Sequence, residues 1–264
     1  MYPLKYHKAA SVDDAVAILT KGDSAKLLAG GQTLLATMKQ HLAAPGDLVD
    51  IRAIAGMSGI KAEGDTLVIG AATTHAEVAG NGDVAKLCPM LASLAAGIGD
   101  PAVRHAGTIG GSIANNDPAA DYPAGLLAVA ATIVTSKRKI PADEFFDGLF
   151  TTALEEDEVI TSIRVTRPKR AAYAKFRQPA SLFALVGVCV ADGAGGVRVA
   201  VTGAGDDGVF RHDGLEAALA AKWSADAVKG VKVASDGLLS DIHGSAEYRA
   251  NLIRVMAGRA VAAS

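Results

Sequence analysis

Apolar and polar positions follow two rhythms along the chain, one typical of helices and one typical of strands. Residues 11–21 carry apolar side chains at helical spacing behind Ser11, a favourable N-cap, and Gly22 marks the end of that helix. Residues 60–70 (IKAEGDTLVIG) predict a β-hairpin that turns at the central glycine. Strict alternation over residues 158–165 (EVITSIRV) predicts a strand. Helices and strands therefore mix in the first part of the chain.

Pro168 separates this mixed part from a second part in which strands and helices segregate. Residues 183–191 and 197–204 predict two strands joined by a glycine-rich hairpin loop. The remainder predicts helices, the last of them amphipathic over residues 245–261. We therefore expect an α+β fold with two domains, residues 1–167 and residues 168–264.

The composition narrows the class of protein. Half of the residues are hydrophobic and only 5% are aromatic, so the core is expected to be aliphatic. A net charge of −2, from 26 basic and 28 acidic residues spread along the chain, provides no basic face for nucleic acid. No run of residues resembles a signal peptide or is long and apolar enough to insert into a membrane, so we expect a cytoplasmic protein.

The residues that most often bind metals show no useful spacing. Cys88 and Cys189 lie far apart among apolar neighbours and are expected to be buried small hydrophobes. Two cysteines cannot supply the four ligands of an iron–sulfur cluster. His41, His75 and His243 have no metal-ligand spacing with each other or with the cysteines. No metal site is predicted in this chain.

Two short segments each place a pair of glycines beside hydroxyl-bearing residues, AGGQT at residues 29–33 and TIGGS at residues 108–112. Glycine permits a positive φ and a close approach of an anion to the backbone. Successive N–H groups can then point into one concavity that suits a phosphate, and a helix that starts directly afterwards adds positive potential. Either segment alone is weak evidence for a phosphate site and favours an ordinary strand-to-helix turn, and neither fits the G-x-G-x-x-G or Walker A pattern.

Two carboxylates follow the second segment. Asp121 has two open interpretations, a turn residue or an acceptor for ribose or ribityl hydroxyl groups. Asp117 precedes Pro118 and has the same two interpretations, ligand binding or capping of the turn.

Taken together, AGGQTLL and GTIGGSIANNDPAADYP resemble the FAD-binding (medium) subunit of the molybdenum hydroxylases of the carbon-monoxide-dehydrogenase and xanthine-dehydrogenase type. Further segments that carry the resemblance are GDLVDI, IGAATTHAEV, FFDGLF and KFRQPAS, and the likeness extends over essentially the whole chain. It implies a vanillyl-alcohol-oxidase-type (PCMH) FAD-binding domain of two α/β subdomains. A small C-terminal flavoprotein domain with an antiparallel sheet and helices would follow.

The resemblance also implies roles for individual residues. Asp121 matches an acidic residue that binds FAD, and Phe183 falls where related chains place a side chain near the isoalloxazine ring, with a plain core residue as the alternative. Close approach of the pyrophosphate to the backbone predicts that Gly110→Val abolishes FAD binding. The residues expected to wrap the pyrophosphate are Ala29, Gly30, Gly31, Gln32 and Thr33, together with Thr108, Ile109, Gly110, Gly111 and Ser112.

As a function, the resemblance implies an electron-transfer subunit that carries FAD. A large partner would hold molybdopterin and oxidise the substrate, and a small partner would hold two [2Fe-2S] clusters, in a dimer of heterotrimers. No catalytic acid, base or nucleophile is predicted, because the cofactor carries the redox chemistry. The alternatives are a self-contained FAD-dependent reductase or oxidase on the same fold, and a scaffold subunit without flavin. The substrate of the holoenzyme and the electron acceptor stay open.

Overall fold

A computed structural model describes residues 2–264, whose strands form three sheets. The strands are β1 Lys5–Lys8, β2 Lys26–Leu28, β3 Asp47–Asp50, β4 Ile60–Glu63, β5 Thr66–Gly70, β6 Thr132–Thr135, β7 Lys139–Pro141, β8 Ile160–Thr166, β9 Arg170–Arg177, β10 Ala184–Gly193, β11 Gly196–Thr202 and β12 Phe210–Arg211. The helices are α1 Val12–Lys21, α2 Leu34–Lys39, α3 His75–Gly80, α4 Gly82–Leu87, α5 Pro89–Ala96, α6 Pro101–Ala106, α7 Ile109–Asn115, α8 Asp121–Ala128, α9 Ala142–Phe145, α10 Asp213–Ala221, α11 Ala225–Lys229 and α12 Ala246–Ala262.

The first part of the chain contains two of the three sheets. A small parallel sheet has the order β1-β3-β2, with α1 connecting β1 to β2. An antiparallel sheet has the order β4-β5-β8-β6-β7. β5 pairs with β8 although the helices α3 to α9 lie between them in sequence. The helices α3 to α9, together with β6 and β7, are therefore inserted between two paired strands. α7 belongs to this insertion, whereas α2 connects β2 to β3 of the small sheet.

The second part is a four-stranded antiparallel sheet, β12-β11-β10-β9, covered by helices. β10 is buried on both faces. Because successive side chains of a strand point in opposite directions, alternate residues of β10 pack in two different clusters. Val186, Val188 and Val190 belong to the cluster that contains the buried face of α12. Cys189 and Ala191 belong to the large cluster of the first part. The second sheet is thus sandwiched between its own helices and the first part.

Ion pairs reinforce this joint. Asp143 of α9 accepts hydrogen bonds from Arg198 Nη1 at 2.6 Å and from Arg211 Nη1 at 3.1 Å. Arg198 also donates to the Leu127 carbonyl oxygen at 3.2 Å. The proposed domain boundary between residues 167 and 168 falls between β8 and β9, and it stays a prediction.

Most elements expected from the sequence pattern are present. α1 has Ser11 as its N-cap, with the side chain accepting from the Asp14 N–H, and the β4-β5 hairpin turns at Gly64 with φ +60°. β9, over residues 170–177, was not predicted, because alanines and long basic side chains obscure its alternation. No helix among residues 2–264 combines the length and the apolar character that crossing a membrane requires.

Arg249 ties α12 to the sheet and generates a prediction about stability. Its side chain is buried, and Nη1 donates to the carbonyl oxygens of Leu185 at 2.8 Å and Gly203 at 2.7 Å, while Nη2 donates to Asp241 Oδ2 at 2.7 Å. Arg249→Met leaves two carbonyl groups and one carboxylate oxygen, Asp241 Oδ2, without this donor. We expect the free energy of unfolding to fall by about 3 kcal/mol in urea titrations.

The matched control is Arg254→Met, on the same helix. Arg254 is partly exposed and bonds only its neighbour Asn251 within the described chain, Nη2 to Oδ1 at 2.9 Å. Its loss is expected to cost less than about 0.5 kcal/mol. Equal effects of the two substitutions would contradict the role assigned to Arg249.

Candidate functional site

A cleft of about 660 Å³ brings the two glycine segments together. Its volume lies in the range of roughly 300–1,000 Å³ that is typical of ligand sites. Residues 29–33 and 108–112 border it, except Ile109, which is fully buried beneath the cleft wall. Asp121 and Phe183 also border it. The structure therefore assembles the residues that the sequence pattern singled out around one cavity.

The first segment owes its glycines to two different constraints. Gly31 has φ +68°, a conformation that side chains rarely adopt. Gly30 packs against the backbone that leads into the second segment, and a Cβ there would lie 2.1 Å from the Ala106 carbonyl oxygen and 2.6 Å from Gly107 Cα. The two segments can approach this closely only because residue 30 has no side chain.

The backbone of the first segment offers unused donors to the cleft. Within residues 2–264, no group accepts a hydrogen bond from the N–H of Gly30, Gly31, Gln32 or Thr33. Thr33 is the N-cap of α2, but its side chain makes no capping hydrogen bond. Successive unpaired N–H groups at the start of a helix are the donor set that binds a phosphate.

The second segment differs from the loop expected from its sequence, because residues 109–112 form the first turn of α7. Thr108 caps this helix, with Oγ1 accepting from the Gly111 N–H at 3.1 Å. The N–H of Ile109 donates to the Thr73 carbonyl oxygen at 3.0 Å, and the N–H of Gly110 donates to that of Ala71 at 2.8 Å. This segment therefore offers the cleft hydroxyl groups, and the N–H groups of residues 109–112 are already paired.

The two glycines of α7 also have different roles. A Cβ on Gly110 would lie 2.6 Å from the Ala71 carbonyl oxygen, so this glycine is required by packing inside the protein. The physical reason given above for Gly110→Val therefore needs correction, since the added side chain would disturb the fold before it met any ligand. Gly111 is exposed and borders the cleft, and a Cβ there would lie 2.9 Å from Thr108 Oγ1 and 3.6 Å from Ala29 Cβ. Gly111 is therefore the exposed glycine of this pair, and a side chain there would meet the capping hydroxyl group of Thr108.

Asp121, at the start of α8, is already engaged on both oxygens. Tyr173 Oη donates to Oδ1 at 2.5 Å, and Lys175 Nζ donates to Oδ2 at 2.9 Å. Burial, the largest influence, raises the pKa of Asp121, and the two partners oppose it by favouring the charged form. The turn interpretation fits Asp117 better, because its Oδ1 accepts from the Ala119 N–H at 2.8 Å.

Phe183 stands at the opening of the cleft. Its side chain is 48% exposed, so the alternative of a plain core residue is wrong. The preceding Leu182 has φ +63°, and Gln178 holds the turn by accepting from the N–H groups of Ala180 and Ser181 at 2.6 and 2.7 Å. An exposed aromatic side chain on a fixed turn can contact a planar ligand in the cleft.

Two buried polar side chains beneath the cleft lack partners among the described residues. They are His75 at Nδ1 and Tyr122 at its hydroxyl group, with ring centroids 5.4 Å apart. Burial, with a smaller contribution from Arg104, lowers the pKa of His75 to about 4. His75 is therefore neutral at pH 7. In the sequence, His75 stands out only as a possible metal ligand without suitable spacing, and no local pattern indicates this buried environment.

Both cysteines are free and fully buried, as predicted. Burial raises the pKa of Cys88 to about 11 and that of Cys189 well above its usual range, so both remain thiols. Among residues 2–264, no group of three or more His, Cys, Asp or Glu side chains could hold a metal ion.

The cleft offers groups that suit two chemical parts of FAD, the pyrophosphate and the flavin ring. The N–H groups of residues 30–33 suit the pyrophosphate, and the hydroxyl groups of Thr33 and Ser112 border the same space. Apolar side chains and Phe183 suit a flavin ring. These properties define a nucleotide-cofactor-binding protein of mixed helix and sheet.

Comparison with known proteins identifies the family. The model of the FAD binding domain in molybdopterin dehydrogenase matches residues 2–168. The chain is 37% identical to the carbon monoxide dehydrogenase medium chain of Hydrogenophaga pseudoflava, over 98% of this chain and 96% of that protein. It is 34% identical to the nicotine 6-hydroxylase medium subunit of Paenarthrobacter nicotinovorans, with the same coverage of 98% and 96%.

A solved structure agrees over the whole chain. Reconstituted CO dehydrogenase from Oligotropha carboxidovorans contains a chain that superimposes with a TM-score of 0.91 at 33% identity, covering 99% of this chain and 98% of that one. The protein therefore belongs to the family of FAD-binding domains of molybdopterin dehydrogenases.

The environment of His75 predicts a pH-dependent stability. The unfolded chain takes up a proton at His75 below pH 6.5, whereas the folded chain does so only near pH 4. Stability is therefore lost as the pH falls through this window. Lowering the pH from 7 to 5 should therefore reduce the free energy of unfolding of the unmodified chain. We expect this reduction to be about 2 kcal/mol smaller in His75→Gln.

Urea titrations at both pH values measure this difference. His243→Gln, at an exposed position, is the control and should retain the original pH dependence. An unchanged pH dependence in His75→Gln would show that His75 does not titrate as described.

Proposed function

We propose that this chain is the FAD-carrying electron-transfer subunit of a multi-subunit molybdenum hydroxylase. It would accept electrons from [2Fe-2S] clusters on a partner subunit and pass them to an external acceptor. The observation that carries the proposal is the row of unpaired N–H groups over residues 30–33, inside a chain that matches medium subunits of such dehydrogenases end to end. FAD, when bound, supplies the capacity to collect electrons one at a time and to release them in pairs.

We assign the cofactor contacts to two kinds of group. The N–H groups of Gly30, Gly31, Gln32 and Thr33 would bind the pyrophosphate, with Ala29 and Gly111 forming the adjacent wall. The hydroxyl groups of the second segment would add donors, and its buried isoleucine would fix the position of α7. The residues in this second group are Thr108, Ile109, Gly110 and Ser112. Asp121 would complete the site at the start of α8.

We also propose the finer architecture and assembly. The two sheets of the first part would be the two subdomains of a vanillyl-alcohol-oxidase-type (PCMH) FAD-binding domain over residues 1–167. Residues 168–264 would be the small C-terminal flavoprotein domain. Molybdopterin would lie on a large partner subunit and two [2Fe-2S] clusters on a small one, with a dimer of heterotrimers as the complete assembly.

Purification of the tagged chain from its native host tests the function. We expect flavin absorption, iron–sulfur absorption, and one large and one small partner identified by mass. Flavin without partners would instead favour a self-contained flavoenzyme. Partners without flavin, after supplementation with FAD, would favour a scaffold subunit.

A negative charge placed beside the N–H groups of residues 30–33 tests the cofactor contacts. Gln32 is exposed, and its side chain lies beside Gly30, with Nε2 donating to the Gly30 carbonyl oxygen at 3.3 Å. Gln32→Glu preserves the shape of the side chain and adds repulsion toward the pyrophosphate. We expect the Kd for FAD to rise about tenfold, as measured by fluorescence titration of the FAD-free chain.

Gln40→Glu is the matched control, because it makes the same change at an exposed position. Gln40 is the C-cap of α2, at the opposite end of the helix from residues 30–33. Its Kd for FAD is expected to stay within about twofold of the original value. Equal Kd values for the two variants would place the pyrophosphate elsewhere.

A further inference from the structure

A buried ion pair joins the cleft to the second part of the chain. The side chains of Asp121 and Lys175 are 5% and 6% exposed, with Nζ and Oδ2 2.9 Å apart. Tyr173 donates to the other carboxylate oxygen at 2.5 Å. Asp121 borders the cleft at the start of α8, whereas Lys175 and Tyr173 belong to β9. A strand of the second part therefore determines how a carboxylate of the first part faces the cleft.

Lys175 holds a second wall of the cleft at the same time. Its Nζ donates to the Gly97 carbonyl oxygen at 3.1 Å. Gly97 follows α5 and leads into residues 98–100, which border the cleft. Arg104 binds the same loop from the other side, with Nη1 donating to the carbonyl oxygens of Ile98 at 3.0 Å and Gly99 at 3.1 Å. One ammonium group thus connects the start of α8 to the loop after α5.

The neighbouring strand is shaped to accommodate this cluster. A Cβ on Gly187 of β10 would lie 2.2 Å from Tyr173 Oη, so only glycine leaves room for the hydroxyl group where it meets Asp121. Burial and the charge of Asp121 raise the pKa of Tyr173 well above its usual range. Tyr173 therefore keeps its proton and acts as a donor to the carboxylate.

We propose that Lys175 is a positioning residue for the cofactor, which holds Asp121 and the Gly97 loop in place and cancels the Asp121 charge at the wall of the cleft. The proposal rests on the proposed function, because it supposes that an anionic dinucleotide occupies the cleft. Without Lys175, a buried carboxylate would border the cleft unpaired, and its charge would disfavour an anionic ligand bound in the same cleft.

The charge of Asp121 responds to identifiable neighbours. The titratable and charged groups that face it are Tyr173, Lys175 and Arg177 from β9 and Tyr122 from α8. Burial raises the pKa of Asp121, while Lys175 and Tyr173 oppose this effect. Loss of Lys175 would therefore raise that pKa further toward neutrality. Protonation would then remove the repulsion, so the variant should bind FAD better at low pH than at high pH.

The test compares FAD affinity across pH in the full-length, FAD-free chain. For Lys175→Met we expect a Kd about tenfold higher than in the unmodified chain at pH 9, with a smaller loss of affinity as the pH is lowered toward 6. Adding Asp121→Asn to Lys175→Met removes the carboxylate together with its partner. This double variant should bind FAD more tightly than Lys175→Met at pH 9 and without that pH dependence.

Lys137→Met is the matched control. Lys137 also contacts two side-chain carboxylates, those of Glu155 and Asp157, but none of these three residues lines the cleft. Its affinity for FAD should be unchanged. Weaker binding of Lys175→Met that is the same at every pH, or that Asp121→Asn does not relieve, would overturn the proposal and leave Lys175 a purely structural role.

Two further outcomes separate the hypotheses. If the unmodified chain binds no FAD, the proposed function fails, and the inference fails with it. If the unmodified chain binds FAD but Lys175→Met binds it equally well, only the inference fails. Should Lys175→Met not fold, the double variant, which carries no unpaired buried charge, still decides the matter. FAD binding by the folded double variant supports the proposal, because the unpaired carboxylate charge has been removed, and a folded double variant that binds no FAD overturns it.

Discussion

The contact on which the cleft depends is the approach of Gly30 to the backbone of Ala106 and Gly107. No other residue could stand there, because a Cβ would lie 2.1 Å from a carbonyl oxygen. This contact joins two segments that are separated by more than 70 residues, one following a parallel strand and one opening a helix. Because the backbones touch directly, the space between the segments is fixed by the main chain and does not depend on side-chain rotamers.

Once the segments are joined, they contribute different chemistry. The N–H groups of residues 30–33 remain unpaired within the described chain, whereas those of residues 109–112 are used by Ala71, Thr73 and Thr108. The start of α7 therefore contributes hydroxyl groups to the cleft, whereas residues 30–33 contribute N–H groups that can bind an anion. Residues 30–33 are partly or fully exposed, so their N–H groups can exchange water for the oxygen atoms of an anionic ligand.

Much of this site could be predicted from sequence, and the limits have physical causes. Adjacent glycines beside hydroxyl groups indicated both segments, because positive φ and close approach are local requirements of single residues. The helical start at Ile109 was missed, because glycines lower helix propensity while the Thr108 cap and two buried isoleucines outweigh it. The partners of Asp121 were also missed. They lie more than 50 residues away on β9, and no local pattern reveals a contact across that separation.

The position of β9 changes how the two parts of the chain should be understood. The C-terminal sheet buries one face against the first part, and from that sheet Lys175 reaches both Asp121 and Gly97. A buried ion pair contributes little net stability compared with apolar packing, so stability alone does not explain charged groups at this joint. Their arrangement is better explained by the need to hold groups in fixed positions. An ammonium group that donates to two acceptors fixes the positions of both, whereas apolar contacts are not directional. Under the proposed function, the second part would complete the cofactor site, and a fragment that ends at residue 167 would lack residues 180–183 of the cleft lining.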